Sequence, residues 1–172
     1  MNLQSDDFEI MGLPRQFALE RAVLDARWKA LQKQAHPDRF AGEGGVAQRV
    51  AMQWSVRINE AYQRLKHPLQ RAAYLCELLG APVRAEDNTA MPAAFLMQQM
   101  EWREALDEAG GLDDIEALEQ EVAQAKRSML QKCEQLLVSS EGAQQAVQTV
   151  RALMFVERFA RDIDRRREQL EQ

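Results

Sequence analysis

His36, Pro37 and Asp38 are the residues of this 172-residue chain whose types and spacing could act together. A histidine and an aspartate are held at an exposed turn by a proline, an arrangement that no helical hairpin needs in order to fold. The rest of the reactive inventory is thin. His67 is the only other histidine, and Cys76 and Cys133 are the only cysteines. No spacing among them suits metal ligation, and nothing points to Ser-His-Asp or Cys-His catalysis. Each cysteine lies on an apolar helical stripe and reads as a buried free thiol. No catalytic residue, metal or cofactor is expected.

The elements around the tripeptide are helical. Asp6 and Asp7 can cap a short helix carrying Phe8 and Met11, stopped by Gly12 and Pro14. From Ala18 to Ala35, Leu24, Trp28, Leu31 and Ala35 recur at helical spacing, and Pro37 ends the run. Residues 41–45 form a Gly-rich loop. A longer helix over Val46 to Lys66 carries Val50, Trp54, Ile58, Ala61 and Leu65 on one stripe. The loop is short, so the two helices must lie antiparallel, stripe to stripe. Pro68 can start a fourth helix with Ala72, Leu75, Cys76 and Leu79, ending at Gly80. Lys29 and Lys33 stand one turn apart on the face opposite Leu24 and Leu31, with Arg21 and Arg27 on its flanks. A basic face like this is either solvated or aimed at an acidic partner, and its junction with His36-Pro37-Asp38 favours the partner.

Residues 81–91 lack periodicity and read as a linker. Three helices follow, over Pro92–Ala109, Asp113–Val138 and Gly142–Glu171, separated by Gly110-Gly111 and Ser139-Ser140. The middle one has a stripe of Leu118, Val122, Ala125, Met129, Cys133 and Leu136. Short loops make an antiparallel three-helix bundle the natural packing. The fold class is therefore all-α: a helical hairpin with flanking short helices over 1–80, then a three-helix bundle over 92–172. In the helix 92–109, Phe95, Trp102 and Leu106 form an inward stripe. Leu96, Met97 and Met100 lie on the other side among Glu101, Glu104 and Glu108. That second strip either packs on the N-terminal half or is an adaptable Met-rich surface for a protein client.

Composition agrees with this class: 46% hydrophobic and 28% charged residues, with only 8 Gly and 5 Pro, favour helices. No apolar run approaches the ~20 residues of a membrane span. The acidic start, Met1 to Asp7, lacks a signal pattern, so a cytoplasmic location is expected. Residues 1–80 carry 11 Lys+Arg against 9 Asp+Glu, whereas residues 81–172 carry 11 against 18. Such asymmetry fits two surfaces for two partners, although solvated helix faces can also produce it.

Residues 1–80 resemble a J-domain, the module that stimulates ATP hydrolysis by DnaK-class chaperones. The tripeptide, the basic preceding helix and the stretch Ile58 to Ala72 carry the likeness. That stretch, with Tyr74-Leu75 after it, resembles the HscB-type co-chaperones of iron–sulfur cluster assembly more than a general J-protein. The resemblance continues through Ala94-Phe95-Leu96-Met97 and Arg103 to Glu108, and so spans essentially the whole chain. It implies a non-enzymatic co-chaperone that delivers an IscU-type scaffold protein to an HscA-type ATPase and activates that ATPase. The chaperone contacts it implies are Arg27, Lys29, Lys33, His36, Pro37, Asp38 and Arg39. The scaffold contacts it implies are Leu96, Met97, Met100, Glu101, Glu104, Glu108 and Phe155. Met100 stands where relatives often have Leu, which preserves apolar bulk. The Cys-rich N-terminal zinc module of metazoan forms is absent, so the chain looks bacterial in type.

Two other classes fit less well. A nucleic-acid-binding protein could use Arg21, Arg27, Lys29, Lys33 and the run Arg165-Arg166-Arg167, but a net charge of −5 opposes it. A metal or cluster carrier lacks ligands at usable spacing.

Overall fold

The computed structural model describes all 172 residues, every one of its regular elements helical or 3-10. The chain divides into two compact units, Met1–Leu75 and Cys76–Gln172. The division falls inside the fourth helix rather than at residue 80.

In the first unit, α1 (Asp7–Met11) begins where the Asp6 side chain accepts a hydrogen bond from the Glu9 amide at 3.0 Å. It ends at Gly12, whose left-handed backbone (φ 68°) suits glycine. Phe8, Ile10 and Met11 are buried. Next comes α2 (Arg21–Ala35), starting at Arg21 rather than Ala18, with Glu20 at its N-cap making no side-chain capping bond. A 3-10 turn over Pro37–Phe40 follows, which periodicity alone does not reveal. Then α3 (Gly45–Lys66) runs back along α2, and both carry α1. Pro68 opens α4 (Pro68–Leu78), as its ring geometry favours. Gly80 (φ 86°) closes that helix, its amide bonding Glu77 O at 3.1 Å while Ala81 N bonds Cys76 O at 2.8 Å.

Polar bonds as well as apolar contact set the α2–α3 register. Tyr62 Oη donates to Asp25 Oδ1 at 2.7 Å, and Ser55 Oγ donates to Gln32 Oε1 at 2.7 Å. Trp28 stacks on Tyr62 with ring centroids 4.5 Å apart. A buried carboxylate fastens the base of the hairpin: Asp7 pairs with Arg57 at 2.8 Å and Arg64 at 3.1 Å. The Asp7 amide also donates to Tyr74 Oη at 2.9 Å. Removing both cations would strand the buried Asp7 carboxylate without a partner charge.

The expected α3 stripe needs one correction. Val50 is 46% exposed, whereas Ala51 beside it is 4% exposed. Toward the loop the two helices border an open apolar groove of about 460 Å³, with Leu31, Phe40 and Trp54 in its walls, and Val50 sits on the rim.

The second unit holds the linker expected over 81–91, which lacks helix but is packed: Ala81 and Val83 are buried. The unit continues with α5 (Ala93–Glu108), α6 (Leu112–Leu136) and α7 (Ser140–Glu171). The long α6–α7 hairpin encloses Ile115, Leu118, Val122, Val156, Phe159 and Ile163, and α5 adds Phe95, Trp102 and Leu106. Ser139, read from sequence as part of a break, is instead the N-cap of α7: Oγ accepts from the Gly142 amide at 2.9 Å. Consequently α6 ends at Leu136 and α7 starts earlier than expected. Leu137 takes the buried position next to the turn, and Leu136 is only half-buried. Gly142 lies so close to the Leu136 carbonyl that any Cβ there would collide with it.

Candidate functional site

The turn at the end of α2 is built around Pro37, which stands at the first position of the 3-10 turn. His36 caps that turn: its Nδ1 accepts from the Asp38 amide at 3.2 Å. With Nδ1 engaged in this turn, Nε2 is the ring nitrogen left to meet an outside group. The His36 ring and the Asp38 carboxylate lie 3.7 Å apart, too far for a hydrogen bond. Asp38 is almost fully exposed and has no other partner. Two polar groups of opposite character are thus presented to solvent on a turn whose backbone one of them fixes.

The basic residues around the turn separate into two sets. Neither Lys29 nor Lys33 forms an ion pair with another residue of the unit. Arg39 bends back toward the last turn of α2, its Nη1 lying 3.5 Å from both Lys33 O and Gln34 O. There a cation meets the negative end of the helix. Arg27, expected on the basic face, instead donates Nε to Met11 O at 2.8 Å. It closes the C-terminus of α1, so packing has claimed a cation that sequence reasoning assigned to a partner. Arg21 is likewise engaged, 2.8 Å from Asp25. The hydrogen bond from Tyr62, and next the one from Arg21, hold the Asp25 carboxyl below the usual aspartate value.

The surface of α5 is the second candidate. Phe95, Trp102 and Leu106 face the core as their spacing requires. Leu96, Met97 and Met100 are 49%, 67% and 73% exposed; their own bundle leaves them uncovered. Glu101, Glu104 and Glu108 edge this strip, all exposed, and Asp107 extends the row. The one cation of α5, Arg103, is drawn away: Nη1 bonds Asp162 of α7 at 2.9 Å. Its guanidinium lies over the rings of Phe155 and Phe159, at 5.6 and 5.1 Å. The α5 carboxylates therefore stay uncompensated beside an apolar strip. Phe155 is half-buried, its ring 5.7 Å from Phe95 and 5.8 Å from Phe159. It joins the patch to the core rather than standing free of it. Asp107 and Arg103 were legible only as α5 charges; which of them stays unpaired depends on α7.

The run Arg165 to Arg167 is not a free basic patch. Arg165 lies 3.5 Å from Asp162, Arg166 donates to Ala109 O at 3.0 Å, and Arg167 makes a two-pronged pair with Glu119 at 3.0 and 2.6 Å. Cys76 and Cys133 are free and buried. Burial pushes their thiols up to about 11 and about 12 respectively, which leaves them inert near neutrality. No group of His, Cys, Asp or Glu side chains is arranged to hold a metal ion. No helix is long and apolar enough to cross a membrane.

These features define a helical protein with two presented surfaces. Residues 91–164 match the family described as the HSCB C-terminal oligomerisation domain. The chain is 46% identical over 173 residues to the Co-chaperone protein HscB homolog of Burkholderia multivorans, covering 99% of both chains. To the homolog of Burkholderia thailandensis it is 49% identical over 174 residues, again covering 99% of both. The solved structure of chaperone HscB from Vibrio cholerae superimposes with a TM-score of 0.80 at 35% identity, over 96% of this chain and 99% of that one. Human HscB shares the fold, with a TM-score of 0.83 at 23% identity over 95% of this chain and 83% of that one. The chain belongs to the HscB co-chaperone family.

Proposed function

We propose that the protein is a cytoplasmic co-chaperone of iron–sulfur cluster assembly that couples an IscU-type scaffold protein to an HscA-type, DnaK-class ATPase. In this reading residues 1–80 act as a J-domain, residues 81–91 as the connection, and residues 92–172 as the client-binding domain. The scaffold docks on Leu96, Met97, Met100 and Phe155, oriented by Glu101, Glu104 and Glu108. His36, Pro37 and Asp38 engage the ATPase, with Lys29 and Lys33 steering the approach and Arg39 bracing the turn. Arg27 supports the hairpin and is left out of the direct contacts. None of these residues adds chemistry to ATP; the hydrolytic machinery belongs to the partner.

The observation that carries the reading is the uncovered apolar strip of α5 beside carboxylates without counter-ions. Apolar contact supplies the affinity of such a patch, and the acidic edge selects a basic-rimmed partner. The lysines of α2 should give an association with the ATPase that slows as salt rises.

The test is His36→Gln. Glutamine cannot reproduce the imidazole cap of the turn, whereas the helices do not depend on it. Steady-state ATPase assays with the purified chaperone should show stimulation abolished, while circular dichroism and scaffold binding stay as in the parent protein. Full stimulation by the folded variant would refute the assignment of the turn.

A further inference from the structure

The segment between α4 and α5 is strapped down by a buried cation. Arg151, in the first half of α7, is only 6% exposed. It donates Nε to Val83 O at 3.0 Å and Nη1 to Ala90 O at 3.1 Å. Both acceptors are neutral carbonyls, and none of the ion pairs of the second unit includes this guanidinium. A buried charge with dipoles but no counter-ion is an unfavourable placement that an anion would relieve.

The surroundings offer room for one. Arg151 lines an open cavity of about 500 Å³, within the range of small-molecule sites. Its second terminal nitrogen, Nη2, makes no hydrogen bond within the protein. Arg84 lines the same cavity and is paired with Asp87 at 3.0 Å at its exposed edge. Two guanidiniums therefore face one carboxylate, an excess of positive charge inside a strongly acidic half of the chain. Asn88 and Gln148 add neutral hydrogen-bonding groups, and Pro82 and Val147 give an apolar wall.

We infer that this cavity binds a small organic carboxylate, its oxygens accepting from Arg151 and Arg84 and its carbon chain resting on Pro82 and Val147. Arg151 Nη2 is a charge-assisted donor for such an oxygen, and the bonds to Val83 and Ala90 hold that guanidinium in place before a ligand arrives. One such anchor in a half-open cavity corresponds to millimolar affinity. The site is independent of the α5 strip and of the His36 turn.

The experiment is an amide NMR titration of the full chain with sodium succinate, with sodium chloride at matched ionic strength and inorganic phosphate as parallel arms. Succinate should produce saturable shifts confined to residues 80–90 and 144–151, and chloride should not. Arg84→Gln lies at the rim and breaks neither strap bond, so it should keep the spectrum elsewhere and weaken binding about tenfold. Absence of saturation with succinate would overturn the proposal, as would equal affinity in Arg84→Gln. Phosphate binding as tightly as succinate would overturn the organic part, since the apolar wall would then contribute nothing.

Discussion

Truncating Leu96, Met97 and Met100 together to alanine separates a docking surface from ordinary helix packing. Burying a Leu or Met side chain completely is worth ~2 kcal/mol. Exposed fractions of 49%, 67% and 73% leave, on that scale, ~4 kcal/mol for a partner to collect. Alanine keeps about a third of the apolar area, so the expected loss of scaffold affinity is ~2.5 kcal/mol, roughly 70-fold in Kd. Folding should respond less, because what is already wet contributes nothing to it. The covered parts of the three side chains amount to about one full side chain, so truncation removes ~1.5 kcal/mol, or roughly 3–6 °C in Tm. Calorimetric titration with the scaffold protein and a thermal melt of the same sample read both quantities. An unchanged Kd in a folded triple variant would refute the docking role. A large loss of stability with little loss of affinity would show instead that the strip is structural.

Three further outcomes follow from local geometry. Gly142→Ala should destabilise the second unit by ~3 kcal/mol or more, since its methyl meets the Leu136 carbonyl and the α6–α7 turn must move; a denaturant melt coincident with that of the parent would contradict this. Asp25 titrates below its unfolded value because Tyr62 and Arg21 bond its ionised form. Its stabilising contribution is therefore present above the ordinary aspartate pKa and is lost as pH falls through the lower folded value. Asp25→Asn should flatten that part of the acid limb in pH-dependent denaturation, and an unaltered limb would remove Asp25 from the account. Cys76 and Cys133 should resist iodoacetamide in the native state at neutral pH and react after unfolding, followed by mass spectrometry. Fast native labelling would mean that the thiols are not enclosed as described.

How much of this was legible in residues alone can be judged helix by helix. Local rules located α1, because Asp6 and Gly12 are a cap and a stop whose effects act within a turn. They located the ends of α2 and α4 through Pro37 and Gly80 for the same reason. The inward face of α5 followed from the spacing of Phe95, Trp102 and Leu106, since an amphipathic helix must bury its apolar stripe somewhere. Ser139 misled because a serine between two helices can end one or begin the next. Only the bond to the Gly142 amide decides which.

Charge was where sequence reasoning reached its limit. Arg27, Lys29 and Lys33 look alike as a row on one helix, yet Arg27 turns to Met11 O while neither lysine forms an ion pair. Arg103 and Glu104 are neighbours in the chain, but Asp162, 59 residues on, removes the cation and leaves the carboxylate unpaired. Helix positions and their apolar faces come from interactions between residues three or four apart, which a linear reading can count. Which charges remain available to a partner depends on groups from distant helices meeting in space, and that required the folded chain.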